Sequence, residues 1–433
     1  LLGGWLASKA RPAKVKPGEM DVVGFGKLPL VFEGRIKPFD TLARNSLRVV
    51  STKEQIKDGM GQDLPAIVWL LDVISGTKAG TKHQVFKIDN LELIETLKLN
   101  RRKGGLYSMD EIEPRMDEFR KQVRLANEVA SDEMSVYQRK VLELDRKLQL
   151  FLKLREAFRA PELGLPADEE ASYLAGMANV GQELATAPIP YAIPTMGNKQ
   201  QSWEPFVTAV TRLWAKDIAE KHQASTTAEL AAKLSADILS EKNINQLVET
   251  RLLGMIKSLA DQSIKPDQLD AYAREALVRM PEDVRERVTT GIRQEITANG
   301  SEVQTTLSMS LDAALGKGGF AAAENPVARS MWNMLTSYRD SDEHSFSRAL
   351  ESYQAALKAS APEALNTGKT NFEASFNNFA PFYNCAALYV FAFVLTTISW
   401  LAWPFGWNRP FNSAAFGLIA LTLAVHSLAL VGR

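Results

Sequence analysis

Cysteine and histidine are the scarcest reactive residues in this 433-residue sequence, with one cysteine, Cys385, and four histidines, His83, His222, His344 and His426. A lone thiol excludes an intramolecular disulfide framework and any cysteine-rich zinc or iron–sulfur site. No two histidines lie within one helical turn of each other, so a dedicated multi-histidine metal centre is not expected. Neither charge is in excess, because 51 Lys and Arg face 51 Asp and Glu. Nucleic acid is therefore not an expected partner, since phosphate contacts need a basic surplus. The sequence also lacks a P-loop, a GxGxxG turn after a strand, HExxH, CxxC and GxSxG. The acids Asp168, Glu169 and Glu170 read as a solvated helix start, and no residue is singled out as catalytic.

Charge is also missing locally. From Pro381 to Arg433 the only charged residues are Arg409 and Arg433. Residues 383–403 and 411–431 are two runs of 21 residues without a charge. As helices each would be about 31 Å long, the thickness of a bilayer's hydrocarbon core. Trp400, Trp403 and Trp407 gather around the joining loop, as amphipathic rings do at a membrane interface. The pattern predicts a transmembrane hairpin; a buried helical hairpin in a soluble core would rarely leave two such runs uncharged. LLGGWLA at residues 1–7 looks like the tail of an apolar segment, so the chain is expected to be an internal fragment of a longer membrane protein. Orientation stays open at this level. Arg409 favours a cytoplasmic loop, whereas Lys9, Arg11, Lys14 and Lys16 favour the opposite side.

What is present organises the chain into six parts. Residues 1–17 read as the end of an upstream membrane segment and a basic linker. Residues 18–110 read as a small α+β region: extended chain through Pro29, Gly34 and Pro38, then a helix to Val50 capped by Asp40 or Thr41. Apolar residues in 111–160 recur at alternating spacings of three and four, in two blocks that slip phase near Glu133. This predicts a long coiled-coil-like helix or, with a break near Ser131 and Asp132, a helical hairpin. Residues 161–205 read as a Pro/Gly-rich linker, 206–380 as a helical region, and 381–433 as the transmembrane hairpin. The fold class is thus mainly α: a large helical domain with a small α+β N-terminal portion, followed by two membrane helices.

His426 is the one residue in the apolar runs whose position asks for an explanation, because an imidazole at membrane depth is a functional candidate by default. Neutral imidazole is a common axial haem ligand. The alternative is a neutral histidine hydrogen-bonded to the neighbouring helix. Cys385 reads as a small apolar packing residue.

The stretch PLVFEGRIKPFDTLARNSLR, residues 29–48, resembles the G-R-x-K-P-x-D-T-x-A-R signature of bacterial system II cytochrome c biogenesis proteins of the CcsA/ResB type. The matching positions are Gly34, Arg35, Lys37, Pro38, Asp40, Thr41, Ala43 and Arg44. Weaker similarity follows in the family's order at residues 83–112, 192–203, 376–395 and 426–433. The resemblance implies a multi-pass protein of the bacterial plasma membrane, with this large domain on the extracytoplasmic, periplasmic face. It implies haem as cofactor, and apocytochrome c, other cytochrome c biogenesis subunits and the lipid bilayer as partners. The family delivers haem and attaches it covalently to apocytochrome c. Its tryptophan-rich WWD segment is not in this sequence and would lie beyond Arg433, so haem-site residues do not carry over. Arg35, Lys37, Asp40 and Arg44 are candidates for contact with a partner or with haem propionates. The alternative for them is a tight turn whose basic residues are solvated or paired with Asp40. A membrane-anchored scaffold or sensor domain without a haem role is the competing function, supported by the coiled-coil periodicity and the lack of a catalytic motif.

Overall fold

The computed structural model describes residues 19–57, 61–162, 165, 167–184, 187–195, 202–259, 269–316, 319–320, 324–360 and 367–432. The segment expected at 1–17 lies outside them. Asp21 caps the short helix α1 (Val22–Gly26), its carboxylate accepting from the Gly24 amide at 2.7 Å. Strands β1 (Pro29–Phe32) and β2 (Arg35–Pro38) then pair antiparallel, with Phe32 opposite Arg35. Glu33 and Gly34 form the two-residue turn at φ 54° and 75°, the left-handed pair that matches the twist of a tight hairpin. Helix α2 (Phe39–Ser51) follows directly, with Pro38 in the capping position. Asp40 is therefore not the cap that the sequence suggests. It lies in the first turn, where its charge faces the positive end of the helix.

A second hairpin, β3 (Gln55–Lys57) with β4 (Asp63–Pro65), leads into α3 (Ala66–Ile74), whose residues are almost all buried. After α4 (Lys78–Lys82), the strands β5 (Phe86–Lys87) and β6 (Leu106–Tyr107) pair around α5 (Leu91–Thr96), and α6 (Met109–Ile112) ends the mixed region. The two heptad-like blocks are two helices, α7 (Met116–Asn127) and α8 (Val136–Ala157), packed on each other. The long single helix is not formed, because the phase slip falls where the chain turns back. Ser135 and Gln138 restart it with a reciprocal capping box. The apolar stripe is spent inside the domain: Phe119, Val141, Leu144, Leu148 and Phe151 are all buried.

The expected linker at 161–205 holds an 18-residue helix, α9 (Ala167–Leu184), whose Leu174 and Met177 enter the core. Its flanking prolines and glycines hide it in the sequence. Short strands β7 (Ile193–Pro194) and β8 (Trp203–Glu204) close the stretch, and Tyr191 bridges back to Val31. Helices α10 (Phe206–Lys221), α11 (Thr227–Ile238), α12 (Glu241–Ser258), α13 (Leu269–Arg279), α14 (Glu282–Ala298), α15 (Gly300–Leu315), α16 (Pro326–Arg339) and α17 (Glu343–Ser360) make up the helical region.

One large core joins the mixed region to α8–α11 and α15–α17. Its spine is a row of rings, Phe25, Phe39, Phe158 and Phe206, with successive centroids 4.7, 5.7 and 6.0 Å apart. Helices α12–α14 keep a separate small core of Ile244, Val248, Leu252, Ile256, Ala273 and Ile292.

Helix α18 (Thr367–Phe379) runs into α19 (Pro381–Leu401) through Ala380, a non-glycine residue at φ 44°, and α20 (Asn408–Gly432) packs back against α19. Both α19 and α20 are long and apolar enough to cross a membrane. Only 28% and 22% of their most apolar windows are buried. Outward-facing Phe393, Trp400, Phe416, Leu428 and Val431 have no protein cover. A core hairpin of a soluble protein would bury these faces. Cys385 packs against α20, its sulfur 3.9 Å from the Thr422 carbonyl, as expected of a small buried residue.

Candidate functional site

The signature segment divides its side chains between two jobs. Phe39, Leu42 and Ala43 point into the main core. Arg35, Asp40, Thr41 and Arg44 instead form a polar chain that fastens the hairpin to α18. Arg35 grips Glu373 with both terminal nitrogens, at 2.9 and 3.2 Å, the bidentate geometry that suits a guanidinium and a carboxylate. The bond to Glu373 raises the Arg35 pKa above its ordinary value. Thr41 donates to the same carboxylate at 2.8 Å and accepts from Asn377 at 2.8 Å. Asn377 also reaches Asp40 at 3.4 Å, and Arg44 donates to Asp40 at 2.8 Å. Arg44 finally reaches Glu54 at 3.5 Å, and Glu54 also pairs with Arg48. Lys37 takes no part. It is 3% exposed, bonds Glu33 at 2.8 Å and lies 5.0 Å from the Phe32 ring. Of the four basic and acidic motif candidates, only the Arg44–Asp40 pair matches the expected pairing with Asp40; Arg35 and Lys37 have other carboxylate partners.

Arg44 and Glu54 also stand on the rim of a cleft of about 1180 Å³ that opens beside Ala380 and Tyr383, at the first turn of α19. Its walls carry Ile56, Leu64, Val85 and Leu106 as well as Lys53, Lys57, Lys82 and His83. Among them, His83 is bonded to a carboxylate in the same lining. Its Nε2 donates to Oδ2 of Asp72 at 2.6 Å. Asp72 accepts further bonds from Thr77 at 3.0 Å and from the Tyr338 hydroxyl at 3.3 Å. Burial, reinforced by the Asp72 charge, pushes the Tyr338 hydroxyl well above its ordinary pKa, so it stays a donor. Three donors thus fix one carboxylate, and the carboxylate fixes the imidazole tautomer. With Nε2 committed to Asp72, Nδ1 bonds no described residue and is not sealed from the cleft.

Local sequence explains why the two residues meet. Asp72 ends the apolar helix α3, and Gly80 lets α4 press against that end: a Cβ at Gly80 would lie 2.6 Å from the Asp72 carbonyl oxygen. Asp72 also accepts the Thr77 amide through its backbone at 3.1 Å. His83 was not singled out by sequence reasoning. The available signal was Asp72, the only charge in residues 64–75, since a carboxylate inside an apolar helix must find partners.

His426 lies between α19 and α20, half-buried, with Nδ1 3.5 Å from the Tyr389 hydroxyl. Phe382 and Tyr389 flank its ring at 5.7 and 6.0 Å. This is the geometry of a histidine engaged with its neighbouring helix. It stands at the same end of the hairpin as the polar chain, because Phe382 in turn contacts Phe376 of α18 at 6.1 Å. Among the described residues no three His, Cys, Asp or Glu side chains converge to hold a metal ion. The sequence matches no protein-family model, and no curated protein matches it significantly.

Proposed function

We propose that this chain is part of a membrane protein of system II cytochrome c maturation, taking part in haem delivery and covalent attachment to apocytochrome c. The observation that carries the reading is the signature at residues 34–44 together with its use in the fold. Arg35, Thr41 and Asp40, all signature positions, bind the helix that continues into the two apolar helices, and Arg44 braces Asp40. A motif built this way serves a protein whose outer domain must keep a fixed position over its membrane part. In this reading α19 and α20 cross the plasma membrane, and the remaining domain lies on the extracytoplasmic face.

The side chains around the cleft suit haem: an oriented imidazole, basic groups for two propionates, and an apolar wall. When bound, haem supplies an iron that takes axial imidazole and vinyl groups that take cysteine thiols. His426 offers a second imidazole, bonded to the Tyr389 hydroxyl and flanked by the Phe382 and Tyr389 rings. The apolar stripe of α7 and α8 packs on its own domain, which supports this reading over a scaffold that would present the stripe to a partner.

The test is deletion of the gene encoding this chain, followed by haem staining of c-type cytochromes after denaturing electrophoresis. Loss of covalent haem, restored by the gene, is the expected result. Unchanged cytochromes c would rule the proposal out.

A further inference from the structure

We propose that the cleft docks haem through a single axial bond from Nδ1 of His83, with Lys53 and Lys82 meeting the propionates; this rests on the haem-handling reading above. The argument begins with the imidazole. A histidine fixed through one nitrogen by a buried carboxylate, with the other nitrogen open, is the arrangement that metal-ligating histidines share. It is not a nucleophile's base, because no described hydroxyl or thiol bonds His83. Nor does it belong to a site for a bare ion, because no second and third protein ligand converge there among the described residues. A metal that binds one imidazole firmly must bring its remaining ligands with it, as porphyrin iron does.

Charge supports the same ligand class. The three carboxylates lining the cleft each have a partner: Glu54 has Arg44, Asp63 has Lys57 at 3.2 Å, and Asp72 has His83. Lys53 and Lys82 are exposed, and no ion pair with a described residue occupies either ammonium. Two unpaired cations beside an apolar wall fit a flat apolar dianion. Among the described residues His83 is the imidazole that lines the cleft, so a further ligand would come from a partner protein.

The probe is haem titrated into the whole chain in nanodiscs, followed by the Soret band, with iron-free protoporphyrin IX as the second ligand. The expected wild-type result is one-to-one binding with a five-coordinate, one-imidazole spectrum, and weaker binding of protoporphyrin. His83→Ala should lower haem affinity by about tenfold or more and leave protoporphyrin binding unchanged. Lys53→Gln with Lys82→Gln should weaken both ligands by about threefold to fivefold. His344→Ala should behave as wild type. Haem affinity unchanged in His83→Ala, or a loss that falls on His426→Ala instead, overturns the proposal. If His83→Ala also loses protoporphyrin, His83→Gly with added imidazole decides: a restored haem spectrum supports the axial bond, and no restoration overturns it. Haem binding independent of His83, in cells whose cytochromes c are lost on gene deletion, removes this site alone. Normal cytochromes c on deletion remove the reading beneath it.

Discussion

The two ends of the domain that precedes the apolar hairpin are built from the same residue types to opposite purpose. Around the cleft, polar side chains are partly buried, bonded in series and tied to α18: Glu373, Thr41, Asn377, Asp40, Arg44 and Glu54 form one chain. In the lobe formed by α12–α14, ion pairs such as Arg251–Glu295 and Arg287–Asp283 lie on the surface in isolation. Surface pairs of that kind contribute up to about 1 kcal/mol each. The lobe's core is six buried side chains, against a main core that gathers every large aromatic of the mixed region. Its two ends also meet, because a Cβ on Gly300 would lie 2.8 Å from Leu239. The lobe is thus an excursion between α11 and α15, which pack directly on each other. The contrast teaches where constraint lies: the cleft end is held by specific partners, and the lobe by ordinary helix packing.

Substitutions can break this contrast or sharpen it. The largest effect is expected from Phe39→Ala, which removes a fully buried ring between Phe25 and Phe158. It should cost about 3–5 kcal/mol and lower the thermal midpoint of the whole domain. Leu252→Ala in the lobe should instead raise hydrogen exchange in α12–α14 only; exchange spreading to α2 or α8 would show that the two ends are one cooperative unit. A smaller effect is expected from Glu373→Ala, which strips Arg35 and Thr41 of their shared acceptor. Arg35 is half-exposed, so the loss should be about 1 kcal/mol, seen as faster exchange in α18 with α12–α14 unchanged. The smallest is an acid-limb effect at Glu143. Bonds from Lys140 and then Lys147 hold its carboxyl down at about 2, against an ordinary 4.5. Its stabilisation is present above the ordinary value and is lost as pH falls toward 2. Glu143→Gln should therefore lower stability near neutrality and flatten the decline between pH 4.5 and about 2.

Much of the architecture was legible because periodicity and charge are local properties. The two uncharged runs became α19 and α20 within a few residues, and residues 64–75 became α3. The helix pair α7–α8 follows the same periodicity, with the phase slip marking its turn. Helix α9 was missed because punctuating prolines and glycines on both sides mark a linker as readily as helix ends. The site was legible only in part. Its signature could be read at residues 34–44, but the partner of Arg35 is Glu373, 338 positions away. No local pattern announces that pairing. The His83–Asp72 bond spans 11 positions and a close approach at Gly80, which only the packed helices reveal.

The most direct measurement compares two variants of the gene in cells, by haem staining of c-type cytochromes. One carries Glu373→Ala, which unfastens the signature segment from α18. The other replaces residues 241–298 with a short Gly/Ser linker, which removes the lobe. Covalent haem should fall with the first and persist with the second, at equal protein levels. Persistence with the first and loss with the second would contradict the assignment of function to the cleft end and move it to the lobe.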